Sequence, residues 1–144
     1  SLARHALQDT DYGERPAELG GASVGEALLA VHRSYAGEVA ALRAAAPLKA
    51  LAHITGGGVP DNLPRALPAG LGAVVRKGSW AVPPIFGLLL RLGRIPEGDA
   101  YRAFNMGIGM IAVVPAESVA AAQLAAPEAR VVGEVVAGEG VQIL

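Results

Sequence analysis

The chain contains no cysteine. That excludes disulfides, thiolate nucleophiles and cysteine metal sites, so any chemistry must come from other groups. It also lacks a long hydrophobic run. Its apolar stretches, such as Ile108 to Pro115, fall well short of the ~20 residues a membrane span requires. The first residues carry no basic region followed by an apolar core, so no secretory signal is read there and a cytoplasmic location is the default. A net charge of −1 gives no general attraction to nucleic acid or anionic lipid. Catalytic signatures are missing too. There is no G-x-x-x-x-G-K-[ST], no G-x-S-x-G, no paired-carboxylate motif and no H-x-x-x-H, and the histidines His5, His32 and His53 are too scattered for a local metal motif.

What is present fits one domain. With 144 residues, 52% hydrophobic and 17% charged, the chain has the balance of a globular core rather than a disordered segment. The pattern of elements is intermixed. Helical spacing is expected over 1–8, 23–30 (with a Ser-Val-Gly-Glu capping box), 38–46, 60–67, 85–92, 96–102 and 117–126. Strands are expected at 31–35, 48–54, 72–76 and from 103 to 114, and a terminal hairpin at 131–136 and 141–144 flanks a Gly-Glu-Gly turn. The abrupt start of the first helix suggests a truncated chain. Without the regular βα alternation of a Rossmann sheet, the expected fold is α+β, a layered α/β sandwich with a mixed sheet.

The most informative stretch is Ala52 to Arg65. An apolar run ends in Thr55 and three glycines, Gly56, Gly57 and Gly58, before a helical segment. Glycines let a backbone pass close to a ligand, and free N–H groups can face bound negative charge. Gly-Gly-Gly equally serves as a plain tight connection. Charge favours the anion reading modestly, because residues 48–77 carry Lys49, Arg65, Arg76 and Lys77 against Asp61 alone, with an acidic excess on either side. The only two asparagines, Asn62 and Asn105, fall one in each glycine-rich stretch. Each could orient a ligand or simply cap a turn. His53, just ahead of the glycines, could bond an anionic substrate or be an ordinary strand histidine. Trp80, Phe86 and Phe104 read as core.

Four ordered motifs add what these patterns cannot. His-Ile-Thr-Gly-Gly-Gly at 53–58, Asn-Leu-Pro-Arg at 62–65, Trp80 with Pro84-Ile-Phe, and Phe-Asn-Met-Gly-Ile-Gly-Met at 104–110 together resemble the phosphoribosylformylglycinamidine cyclo-ligase (AIR synthetase) family. The resemblance extends over the chain, including Glu18-Leu-Gly and Gly25-Glu-Ala-Leu-Leu-Ala. Val59 and Asp61 depart from the family's aromatic residue and Glu, Ala103 from its Thr, and Val31-His32 from its Pro-Thr pair.

The resemblance implies a carboxy-terminal domain over residues 1–144, of the superfamily shared with selenophosphate synthetase and hydrogenase maturation proteins. The amino-terminal domain, implied to hold most ATP and magnesium ligands and much of a homodimer contact, is absent from this chain, which alone is expected to be inactive. The whole enzyme would convert formylglycinamidine ribonucleotide to aminoimidazole ribonucleotide in purine biosynthesis. ATP would phosphorylate the amide oxygen, an internal nitrogen would attack the activated carbon, and phosphate would leave. Such chemistry rests on positioning and electrostatics rather than a covalent nucleophile. On this basis His53 and Asn105 are the candidate catalytic residues. Thr55, Gly56, Gly57, Gly58, Asn62 and Arg65 are the candidate phosphate and substrate contacts, and no metal ligand is assigned. The alternatives are a non-catalytic anion-binding module and another ATP-using member of the superfamily.

Overall fold

The computed structural model describes residues Leu2 to Leu144. Among the described residues five strands form two small sheets with seven α-helices packed against them: α1 (Leu2–Ala6), α2 (Val24–Leu28), α3 (Ala36–Ala45), β1 (Ala50–His53), α4 (Gly58–Asn62), β2 (Leu71–Val75), α5 (Pro84–Gly93), α6 (Glu97–Ala103), β3 (Met110–Val113), α7 (Val119–Ala125), β4 (Gly133–Ala137) and β5 (Val141–Ile143). Single 3-10 turns occur at 17–19, 64–66 and 116–118. The fold is α+β with a mixed sheet, as the sequence implied. Among the described residues no helix is long and apolar enough to cross a membrane.

β1 and β3 pair antiparallel, Ala50 opposite Val113 and His53 opposite Met110. Helices α3 and α7 cover this ribbon through Leu42, Ala46, Ala122 and Ala126. Small alanines let the helices approach closely, which is how a two-stranded ribbon too weak to stand alone becomes anchored.

The second sheet has β2 at its centre, antiparallel to β4 and parallel to β5. This corrects the expected terminal hairpin. Residues 138–140 do not turn β4 back onto β5; they step across the end of β2, so that β4 and β5 flank it on opposite sides. The crossing is held by Gly138 N–H donating to Gly70 O at 2.9 Å and Ala73 N–H donating to Gly140 O at 3.0 Å. It passes so near β2 that a Cβ on Gly72 would lie 2.6 Å from Gly140 O.

Two apolar clusters meet at Trp80. One gathers Leu7, Val24, Leu88, Leu89 and Ala100 beneath α5, and the other gathers Ile54, Val59, Leu63, Val75 and Ile111 between the sheets. Ile54, Leu88, Val24, Val59 and Val75 are the largest fully buried side chains, each contributing about 1.5–3 kcal/mol by area. The indole N–H of Trp80 donates to Met106 O at 2.9 Å, satisfying its one polar atom. Helix α5 begins at Pro84, where a missing N–H costs nothing, and ends with Arg94 in a left-handed conformation at φ 48°.

The expected capping box is present. Ser23 Oγ accepts from Glu26 N–H at 3.1 Å and Glu26 Oε2 accepts from Ser23 N–H at 2.7 Å. That backbone N–H, aided by Arg15, holds the Glu26 carboxyl below its ordinary range. One expected strand is not formed and another is shortened. Residues 31–35 are irregular, with Val31 96% exposed, because no neighbouring strand is there to pair with. Residues 104–109 make a turn, and β3 starts only at Met110. The turn is forced by positive φ at Met106 and Gly107 and by Asn105 Oδ1 accepting Gly107 N–H at 3.0 Å. The expected helix at 60–67 is instead α4, starting at Gly58, followed by the 64–66 turn.

Candidate functional site

β1 delivers its last residue, His53, to the surface, and the chain then bends through Thr55 and the glycines. What shapes the bend is buried Asn62. Its Nδ2 donates to Gly58 O at 2.7 Å and to Gly56 O at 3.2 Å, while Thr55 Oγ1 donates to its Oδ1 at 3.3 Å. The carboxamide is thus spent on holding the loop. An aliphatic side chain there would leave Gly56 O without a protein partner and take from Gly58 O its side-chain donor.

Gly58 sits in the interior. Its φ is +60°, its N–H donates to Thr55 O, and an added Cβ would lie 2.0 Å from Tyr101 O and 2.8 Å from Phe104 O. Lacking that Cβ, α4 closes onto the end of α6. This contact brings residues 103–105 opposite the glycine loop, and the space left between them is a cleft.

The cleft encloses about 350 Å³ and is lined by His32, His53, Ile54, Thr55, Gly56, Phe86, Ala103, Phe104 and Asn105. Of the residues singled out by the sequence, it brings together His53, Thr55, Gly56 and Asn105. Gly57, Gly58 and Asn62 lie behind the lining and shape it. Arg65 is exposed in the 64–66 turn and does not line the cleft. Among the described residues the N–H groups of Thr55, Gly56 and Gly57 have no protein acceptor. Consecutive free amides of this kind form a concavity suited to an anion.

Among the described residues no carboxylate lines the cleft. The basic excess of residues 48–77 does not converge on it, because Arg76 pairs with Glu134 and Lys77 with Glu97. Electrostatic character therefore comes from amides and imidazoles, not from the cations that the charge distribution favours. Phe86 and Phe104 pack against the core cluster beneath α5, as expected, but are only half-buried, and their rings, tilted at 50° with centroids 5.8 Å apart, also form part of the cleft wall. Their helical and turn positions carry no sign of this. His32 has no sequence signal for the site, because it lies on an irregular loop that only the tertiary fold carries to His53. A larger depression of about 530 Å³ lies between α5 and residues 9–18. Its arginines are neutralised, Arg15 by Glu26 and Arg91 by Glu18, and it holds none of the candidate residues.

Fold and cleft together define a class: an α+β domain that presents a glycine loop, free amides and imidazoles on an open, acid-free cleft. The family model described as AIR synthase related protein, C-terminal domain, matches residues 1–144. The chain belongs to that family. It is 47% identical over 145 residues to a phosphoribosylformylglycinamidine cyclo-ligase of Anaeromyxobacter sp. strain Fw109-5, covering 97% of this chain and 42% of the relative. A protein of the same name from Symbiobacterium thermophilum is 44% identical over 148 residues, covering 96% of this chain and 42% of its own length. One from Caldanaerobacter subterraneus is 45% identical over 128 residues, covering 86% and 38%. The chain thus spans about two-fifths of the length of these curated relatives.

Proposed function

We propose that this chain is the carboxy-terminal, substrate-facing domain of an ATP-dependent cyclo-ligase that closes the imidazole ring of aminoimidazole ribonucleotide from formylglycinamidine ribonucleotide. The observation that carries the reading is family membership over the whole chain, joined to a cleft that gathers His53, Thr55, Gly56 and Asn105. In this reading the amides of Thr55 and Gly56 receive a phosphate group, with Gly57, Gly58 and Asn62 fixing their direction. His53 and Asn105 orient the substrate as its amide oxygen is phosphorylated by ATP. The internal nitrogen then attacks the activated carbon, and the phosphate departs with the former amide oxygen. Arg65, outside the cleft, adds long-range charge only.

Magnesium does not fit the residues of this chain. Among the described residues no group of three His, Asp or Glu could hold a metal, and the cleft offers no carboxylate for a hard cation. In the proposal the ATP and magnesium ligands belong to a separate amino-terminal domain. The full enzyme works as a homodimer in the cytoplasm, and neither nucleic acid nor membrane is a partner.

Combining the chain with a separately made amino-terminal domain of a relative and supplying ATP, magnesium and formylglycinamidine ribonucleotide tests the reading. ADP release that depends on the nucleotide is expected. A folded pair that binds the nucleotide without ADP release would replace the cyclo-ligase reading with a non-catalytic anion-binding module. ADP release only with a different phosphate acceptor would indicate another ATP-using member of the superfamily.

A further inference from the structure

We propose that His32 is a second anion-binding residue of the cleft, acting with His53 as a pair of imidazoles that grip a phosphate group in their protonated forms. The inference rests on the anion reading of the cleft and adds a residue that the sequence motifs do not contain.

The rings of His32 and His53 lie with centroids 5.9 Å apart and edge to face at 83°, and both line the cleft beside Thr55 and Gly56. They arrive from separate parts of the chain. His53 ends β1, whereas His32 belongs to the irregular stretch after α2.

That stretch is nevertheless pinned. Tyr35 packs over Gly109, where an added Cβ would lie 2.0 Å from the Tyr35 hydroxyl. The Tyr35 ring meets His32 edge-on at 6.3 Å. Arg33 lies over the Tyr35 ring at 5.8 Å and pairs with both Glu38 on α3 and Glu128 beyond α7. A loop without regular structure thus has one defined position, with His32 at the cleft.

The chemistry selects an anion. Among the described residues His32 and His53 are the only titratable groups lining the cleft and no carboxylate lines it; behind the glycine loop Asp61 of α4 packs against Gly57, its Oδ2 2.6 Å from where a Gly57 Cβ would lie. On the loop side, the nearby acids Glu38 and Glu128 are engaged by Arg33, and Tyr35 is the remaining titratable group. Two imidazoles without a third ligand or a negative charge make a poor cation site. Protonated, each becomes a donor with a full charge, and two such charges at this separation are offset by a tetrahedral dianion in contact with both. Bound dianion therefore favours the doubly protonated pair, and affinity falls as pH rises. Both rings are exposed, so solvent and salt limit the effect to about fivefold.

Sulfate is the first probe, because its charge is constant across this range. The full chain is titrated with it at about pH 6 and about pH 8, at fixed ionic strength, while imidazole resonances are followed by nuclear magnetic resonance. Both His32 and His53 are expected to shift, with binding about fivefold weaker at the higher pH. His32→Gln should weaken binding by a similar factor at the lower pH, little at the higher, and flatten the pH dependence. Movement of His53 alone, with His32→Gln binding as the wild type does, would overturn the inference and leave the anion cleft standing. Movement of neither would overturn both. The wild-type resonances decide the matter even where the variant folds poorly. Ribose 5-phosphate and inorganic phosphate, compared at the lower pH, then separate the two sources of the group. Tighter binding of the ester assigns it to the nucleotide's phosphate, and tighter binding of the free ion assigns it to the phosphate released by the reaction.

Discussion

The molecule contains two glycine-rich connections of similar length, Thr55–Gly58 and Gly138–Gly140, that do different work. Both use glycines with positive φ, and in both a backbone passes too close to another for a side chain to intervene. The later one spends Gly138 N–H on Gly70 O, just before β2, and Gly140 O on Ala73 N–H of β2, and the crossing completes a mixed sheet. Among the described residues the N–H groups of Glu139 and Gly140 are left without a protein acceptor. The earlier one leaves three amides free and is held from behind by Asn62. Glycine content therefore does not distinguish a binding loop from a structural crossing. Nor do free amides alone; the earlier loop differs in lying on the cleft and in being held from inside by the Asn62 carboxamide.

Substitutions can test this contrast, beginning with the most severe. Gly58→Ala places a methyl 2.0 Å from a backbone oxygen at a positive φ. Adding overpacking to backbone strain, it should cost about 3 kcal/mol or more, read from the urea midpoint. A small loss would mean that α4 and α6 can part, and the cleft would not be a fixed feature. Asn62→Leu removes the donors to Gly56 and Gly58 and should cost about 2 kcal/mol. It should also abolish sulfate binding, since the amides lose their support. Retention of binding would show that Asn62 does not set the loop.

Gly72→Ala forces the Gly138–Gly140 crossing away from β2. A loss of about 1–2 kcal/mol is expected, with anion binding unchanged after correction for the folded fraction. Coupled loss of binding would erase the proposed division of labour. The smallest stability effect and the sharpest functional one belong to Gly56→Ala. Nothing lies within 4 Å of an added Cβ there, and φ is not positive. Stability should change by less than about 0.5 kcal/mol, while the methyl in the cleft lowers affinity for sulfate. Unchanged affinity would remove Gly56 from the binding surface.

Much of this is legible in the residues. Pro84 and Gly93 delimit α5, Ser23 and Glu26 announce α2, and the run before Thr55 gives β1, because local steric and capping rules act within a few positions. The failures share a cause. Residues 131–144 look like a hairpin, yet β2 lies between the two strands, since apolar alternation says that a strand exists and not which strand it pairs with. The alternation in Phe104–Met110 reads as a strand, but the Asn105 turn bends it. The charge excess at 48–77 suggests cations for the loop, whereas Glu134 and Glu97, distant in sequence, take up two of them.

The sequence alone thus determined the family, the α+β class and the presence of a glycine loop, because each is written in short stretches whose chemistry is local. Only the tertiary structure decided which atoms face the cleft. It turned Asn62 and Gly58 inward, brought Phe104 and Asn105 across from the loop, and carried His32 to His53. Those arrangements depend on contacts between residues far apart in the chain, and the free energy that selects them comes from packing that no single segment contains.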